Sequence, residues 1–478
     1  MPRLRPLLVT PWLLGCLWHT PAALGQTVPI PSNTPAAQTP QPSALDAELF
    51  YQLLLGELQR RTDPGAAYSL ILDAAKRTRR PDLFQRAIEI ALQGRAPQAA
   101  LAAARDWSAA LPGDDDARRT ELQLLIGMQR VRDMGPALRD WIRAVPAARR
   151  PGLIALVPTA LARATDKAEA VAAARVALEP SLRTPETAAA AWAALGRVQR
   201  QAGQDADALQ SARQAMRADP RSAPAALLAL ELLDAWPADA ESLLQRHLLA
   251  TRDAAADADP ALRIAYARAL AERGRLPEGR ALLQAAPSLD AEGQRRLRVA
   301  EARLLRDHDH AQEAYDLLSQ ALQTAPADTD LMYEQAMVAE RLGRLAEMER
   351  LLRELIQRQP DDPHAYNALG YALADRGERL PEAKALIQEA LRRAPDDAYI
   401  IDSLGWVEFR LGNLTEARQL LADALQRRPD AEIAAHLGEV LWVLGESDLA
   451  RAVWRQGLEL DRRNRTLTET LRRLGVEP

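Results

Sequence analysis

Residues 395–429 read PDDAYIIDSLGWVEFRLGNLTEARQLLADALQRRP, two short helical patterns separated at Gly412 and bounded by Pro395 and Pro429. Proline lacks an N–H and disfavours helical geometry in the residue before it, and the Asp residues after it can cap the next helix. Gly412 stands midway, where a tight helix-to-helix turn needs a residue that tolerates positive φ. Between these marks Leu404, Gly405 and Leu411 fall at helical spacing on the first segment, and Ala417, Leu421 and Ala424 on the second. The small residues let paired helices approach and the large ones fill the gap between them.

The same unit recurs on both sides. Gly343, Gly377, Gly412 and Gly445 are spaced 34, 35 and 33 residues apart, and Pro326, Pro360, Pro395 and Pro429 keep step at 34, 35 and 34. Such a rhythm predicts a stack of similar units rather than one closed core. Residues 44–187 keep the helical grammar without the signature. Leu49, Tyr51, Leu54, Leu55 and Leu58, then Tyr68, Leu70, Ile71, Leu72 and Ala75, recur at helical steps, and Pro81, Pro112, Pro136 and Pro151 punctuate the later segments. This stretch reads as degenerate helical hairpins continuing the stack. A 34-residue unit over residues 44–478 predicts about twelve hairpins. Only 4% of the 478 residues are aromatic, helix-favouring residues abound, and no segment alternates with a strand's period of two.

The units resemble the tetratricopeptide repeat, whose pattern runs Trp, Leu-Gly, aromatic, Ala, large apolar, Pro. Trp192, Leu195-Gly196, Ala208, Ala215 and Pro220 form one copy, and Tyr366, Leu369-Gly370, Ala383, Ala390 and Pro395 another. Leu404-Gly405, Ala417, Leu421, Ala424 and Pro429 follow. The last copy keeps Leu437-Gly438, Ala450 and Trp454, while Gly457 and Arg462 replace Ala and Pro, as a capping end would. Copies near 260 and 295 are marked by Gly274, Ala314 and Pro326. The resemblance covers 188–478 and implies an all-α fold, a tetratricopeptide-type α-solenoid superhelix.

The N-terminus is an address. Positive charge in Met1-Pro-Arg-Leu-Arg5 precedes a mostly apolar run over 6–18, too short to span a bilayer, so residues 1–25 read as an export signal. Two cleavage sites overlap. Leu13-Leu14-Gly15-Cys16 resembles a bacterial lipobox, which implies acylation of Cys16 and, with Leu17 next to it, the periplasmic side of the outer membrane. Ala23-Leu24-Gly25 resembles an ordinary signal peptidase site, which implies a soluble periplasmic chain. Residues 26–43, rich in Pro, Thr, Ser and Gln, read as a disordered tether. Cys16 is the single cysteine, so the exported domain makes no intramolecular disulfide.

The formal net charge of -4 and the lack of a long basic run argue against nucleic acid. No Gly-rich phosphate loop, His-Glu-x-x-His or Gly-x-Ser-x-Gly occurs, and no cofactor or metal is expected. His308-Asp309-His310 falls at a turn between helices, and Asp114-Asp115-Asp116 after Pro112-Gly113 reads as a helix cap. The chain reads as no enzyme.

The resemblance implies recognition by a concave face lined by first helices. Carried onto this sequence, the lining positions are Tyr333, His364, Asn367, Tyr371, Tyr399, Asp402, Trp406, Phe409, Glu432, Glu439 and Trp442. Aromatic rings there offer contact area at low entropy cost, and Asn, Asp and Glu can hold a peptide backbone or a basic side chain. The Lys and Asn set with which some cytosolic members clamp a C-terminal carboxylate is absent. The export signal, tether, opening run Glu48-Leu-Phe-Tyr-Gln-Leu-Leu-Leu55 and closing runs Ile401-Asp-Ser-Leu-Gly-Trp406 and Ala434-Ala-His-Leu-Gly438-Glu-Val-Leu-Trp442 are similar to those of one group of proteobacterial tetratricopeptide lipoproteins. That resemblance implies an envelope adaptor presenting cell-wall hydrolases to a periplasmic carboxyl-terminal-processing protease. The alternatives are a scaffold for polysaccharide or lipoprotein assembly or export, and an enzyme in the N-terminal third, which would need a pocket of converging polar groups.

Overall fold

The computed structural model describes residues 47–252, 260–285 and 289–477. The expected export signal, Cys16 and the tether over 26–43 lie outside the described residues. Among those described, twenty-six α-helices and one short 3-10 turn occur with no strand, as an α-solenoid requires. By compactness the chain forms two units, which divide between Gly94 and Arg95.

The first unit holds the helices Ala47–Gln59, Pro64–Thr78 and Pro81–Gln93. Its core is Leu49, Ala67, Ile71, Ala75, Phe84, Ala87 and Ile88. Gly56 faces Ile71, whose Cδ1 would lie 2.8 Å from a Cβ there, so these two helices approach closely. That approach narrows the buried stripe of the opening helix to Leu49 and Gly56. Phe50, Tyr51, Leu54 and Leu58 remain exposed on the same helix.

The second unit begins with the helix Pro97–Ala110, runs from Pro185 to Leu460 as eight successive helix pairs, and closes with the helix Arg465–Leu474. The repeat boundary sits slightly earlier than 188, because that position lies inside the helix Pro185–Gln201. Pro136 does not punctuate either: it lies inside the helix Val131–Ala144, which packs on Lys167–Leu182. Between those two, Pro151 and Pro158 break the chain into the short helices Arg150–Ala155 and Val157–Leu161. The inserted turns are where the 34-residue rhythm fails.

From Pro185 onward the punctuation acts as its chemistry dictates. Gly343, Gly377, Gly412 and Gly445 all have positive φ, between 70° and 87°. In the pair Ala291–Asp307 and Ala311–Thr324 the residue in that conformation is Asp309 (φ 64°), so His308-Asp309-His310 is the turn. Asp362, Asp397 and Asp430 cap the following helices by accepting from backbone N–H groups of His364, Tyr399 and Glu432 at 2.8–2.9 Å. Asp114 caps in the same way. In the pairs that open at Pro363, Ala398 and Ala431 a glycine of the first helix meets a large side chain of the second. A Cβ at Gly405 would lie 2.7 Å from Leu421 Cγ, and one at Gly370 would lie 2.6 Å from Ile387 Cγ1. Leu421 and Ile387 are fully buried, each contributing about 2 kcal/mol.

First helices also touch the first helices of the next pair along Pro260–Glu272, Ala291–Asp307 and Thr329–Arg341 and along Pro363–Arg376, Ala398–Arg410 and Ala431–Val443, and Thr329–Arg341 shares one hydrophobic cluster with Pro363–Arg376, so the six form an inner row. This row curves around a hollow: Ile264, Leu304 and His308 line one cavity together with Asp461 and Arg463 from the far end of the unit.

Candidate functional site

The inner row brings four of the expected lining residues, Tyr371, Asp402, Trp406 and Glu432, around a fifth that the spacing did not single out, His436. The helices carrying them are adjacent, and the caps at Asp362, Asp397 and Asp430 fix where each begins. His436 is 1% exposed. Its Nδ1 lies 2.9 and 3.1 Å from the two carboxylate oxygens of Asp402, and its Nε2 lies 3.3 Å from the Tyr371 hydroxyl. The imidazole stacks on Trp406 with centroids 4.3 Å apart. Tyr371 and Thr466 donate to Glu432 Oε1 at 3.5 and 3.3 Å, so the network ties three successive repeats to the closing helix.

Burial pushes the His436 pKa down, but the Asp402 charge and hydrogen bond, with Glu432 beyond, overcome it and hold the imidazolium above its ordinary range. Burial raises the Glu432 carboxyl, helped by the charges of Asp402 and Asp430. Burial and the Glu432 charge push the Tyr371 hydroxyl well up. Asp402, His436 and Tyr371 are aligned like a proton relay, yet His436 and Asp402 are sealed from solvent. The geometry therefore makes a buried polar joint between repeats.

Burial corrects part of the expected binding face. Asp402, Trp406 and Glu439 are 5–6% exposed, the first two beside the next first helix and Glu439 beside the closing helix Arg465–Leu474. Glu439 accepts from Arg473 Nη2 at 2.5 Å, and the Trp406 indole N–H is buried without a hydrogen-bond partner. Phe409 packs on Trp406 at 5.1 Å, and Trp442 on the buried Trp454 at 5.8 Å, so both stiffen the C-terminal end. Asn367 is half-buried, with its Oδ1 unpartnered. His364 and Tyr399 are exposed. The Tyr399 ring lies 4.8 Å from the Arg428 guanidinium, and its hydroxyl donates to Asp430 at 3.4 Å.

Tyr333 and His364 meet instead in the hollow. They line a cavity of about 630 Å³ with Ile264, Arg268, Val299 and Arg303. Burial raises the Tyr333 hydroxyl to about 12, with the Glu334 charge adding to it. No sequence signal marked the arginines, since each alone looks like an ordinary solvated charge. Among the described residues no cluster of three His, Cys, Asp or Glu side chains is placed to hold a metal. His310 Nδ1 lies 2.8 Å from Glu313. No described helix is long and apolar enough to cross a membrane.

Comparison with known proteins places the tetratricopeptide repeat on residues 349–398 and 403–464, whose family model they match. A TPR repeat-containing protein of Pseudomonas aeruginosa is 32% identical over 170 residues, 36% of this chain. The chain spans 29% of that relative's length. Among solved structures, a thermophilic TPR protein of Thermus thermophilus is similar at a TM-score of 0.35 and 24% identity, over 37% of this chain and 98% of that one. Yeast Tom70 is similar at a TM-score of 0.42 and 12% identity, over 90% of this chain and 94% of that one. Residues 349–398 and 403–464 thus carry tetratricopeptide repeats.

Proposed function

We propose that this chain is an exported adaptor of the bacterial envelope that brings a periplasmic carboxyl-terminal-processing protease together with cell-wall hydrolase substrates. The observation that carries the scaffold part is the hollow of the inner row, which presents exposed Arg268, Arg303 and His364 beside half-buried Tyr333. The choice of partners rests on the lipoprotein resemblance of the export signal, tether and closing runs. The mechanism is proximity: a partner held in the hollow stays at high local concentration near a second partner without new chemistry. In this reading Cys16 is acylated and anchors the chain to the outer membrane, or cleavage after Gly25 frees it into the periplasm. Catalysis has no place in it, since the one relay-like alignment, Asp402, His436 and Tyr371, is closed to substrate.

The test is an affinity pull-down from envelope extract with the tagged full chain, followed by mass spectrometry. Recovery of a carboxyl-terminal-processing protease with cell-wall hydrolases is the expected result. Recovery of polysaccharide or lipoprotein machinery alone would overturn the protease reading.

A further inference from the structure

We propose that the hollow between residues 264 and 364 is a groove for an extended acidic segment of a partner protein, with Arg268 receiving a carboxylate of that segment. This deepens the scaffold reading above by naming the partner's chemistry.

The groove is built from two adjoining cavities. The first, of about 630 Å³, is lined by the apolar Ile264, Val299 and Ala300 together with Arg268, Arg303 and Tyr333. The second, of about 560 Å³, shares Ile264, Arg268, Ala300 and Arg303 with it and continues to Arg463 at the far end of the unit. Both volumes lie in the range of ligand sites. Arg268 and Arg303 thus stand at the junction of one continuous slot.

Most of the carboxylates in the slot are already engaged. Asp330 pairs with Arg295 at 2.8 Å, Glu334 lies between Arg303 at 2.5 Å and Arg306 at 3.2 Å, and Asp307 pairs with Arg306 at 3.0 Å. Asp362 caps its helix, and Asp461 accepts from the Arg463 N–H. Arg268 is exposed and makes no hydrogen bond or ion pair with any described residue, Glu272 one turn along its own helix included. A cation unmatched among the described residues, in a cavity also lined by Ile264, Val299 and Ala300, fits a ligand that offers a carboxylate beside an aliphatic side chain. The slot runs through two cavities that share four lining residues, so the proposed ligand is a chain passing along both rather than a terminus plugged into one.

The probe is a fluorescein-labelled dodecapeptide of alternating Glu and Leu, blocked at both ends, titrated into the full chain and read by anisotropy. Saturable binding that weakens with salt is expected, and Arg268→Glu should weaken it about tenfold or more while Arg268→Lys retains part of it. Because Arg268 pairs with no described residue, both variants should melt like the parent, which separates lost binding from lost folding. Equal binding of the Gln-Leu peptide, an unaffected Arg268→Glu variant, or binding only by a peptide with a free carboxyl end would overturn the proposal. Loss of peptide binding with protease and hydrolases still recovered would fail this inference alone. Peptide binding with no protease recovered would fail the partner choice alone.

Discussion

Replacing Gly438 with Ala tests how the C-terminal repeats are held together. An ideal Cβ at Gly438 would lie 2.1 Å from Trp454 Nε1 and 2.5 Å from its Cδ1 and Cε2. Non-bonded carbons settle about 3.5–4 Å apart, so the indole must withdraw by more than an ångström. It has no room for that, being fully buried, 5.8 Å from Trp442, with its N–H donated to the Ala435 carbonyl at 3.3 Å. Overpacking costs about 1–3 kcal/mol and a lost hydrogen bond about 1 kcal/mol. The better helix propensity of Ala returns about 0.5–1 kcal/mol, so a net loss of about 1–3.5 kcal/mol is expected. Expulsion of the ring would raise it to about 3–5 kcal/mol. In a stack the loss is local, so residues 431–474 should unfold ahead of the rest. Urea unfolding followed by far-ultraviolet circular dichroism and tryptophan emission would show this as an early phase with a red-shifted indole. Trp454→Leu in the Gly438→Ala background should restore part of the midpoint, giving a coupling above about 1 kcal/mol in the double-mutant cycle. A Gly438→Ala midpoint equal to or above the parent's would refute the packing argument.

Three further outcomes follow from the same geometry. His436 is held above its ordinary pKa of 6.5 and Glu432 above 4.5, so each contributes stability at lower pH that is lost as pH rises through its folded value. Urea midpoints of the parent should therefore fall from neutral to alkaline pH more steeply than those of His436→Gln; parallel curves would remove His436 from the account. Tyr399→Ala should leave thermal melting nearly unchanged, whereas Tyr371→Ala should cost about 1–3 kcal/mol by opening the joint, and equal melting of the two would contradict the burial difference. Gly405→Leu should destabilise by more than any of these, because its Cβ alone would sit 2.7 Å from Leu421; a folded variant with unchanged melting would show that the paired helices slide freely.

The repeat itself was legible because its marks are local. Pro360 and Pro395 stop helices, Asp362 and Asp397 cap them, and Gly377 and Gly412 turn the chain, each acting within a few residues of its own position. The lining was legible only as to helix. Spacing places Asp402, Trp406 and Glu439 on first helices, but their exposure depends on how closely the next first helix, or for Glu439 the closing helix, approaches, which is set by Ala and Gly residues a repeat away. His436 was missed because a histidine one position off the expected stripe in the run Ala434–Gly438 looks unremarkable until Asp402, 34 residues earlier, stands against it. Arg268 was invisible for a different reason: being unmatched is a property of its neighbours, and those come from other repeats. Gly457 had a signal that was taken for decay of the motif. A Cβ there would lie 2.9 Å from both Ala434 Cβ and Leu467 Cδ2, so the glycine admits the closing helix.

The buried joint and the open groove belong to one inner row, and the stack couples them. Each repeat adds a small rotation to the next, so the angle fixed at Asp402 and His436 sets how far Asp461 and Arg463 swing toward Ile264, Arg268 and Leu304 across the hollow. Removing the imidazole while keeping its volume, as in His436→Phe, would strand the Asp402 carboxylate in a buried site and force that joint to open. The second cavity would then widen although its own residues are unchanged. Binding of the Glu-Leu peptide should weaken in His436→Phe without any change at Arg268, with an accompanying increase in the radius of gyration by small-angle scattering. A variant that keeps the parent's scattering profile but loses peptide binding would mean that the joint does not set the groove.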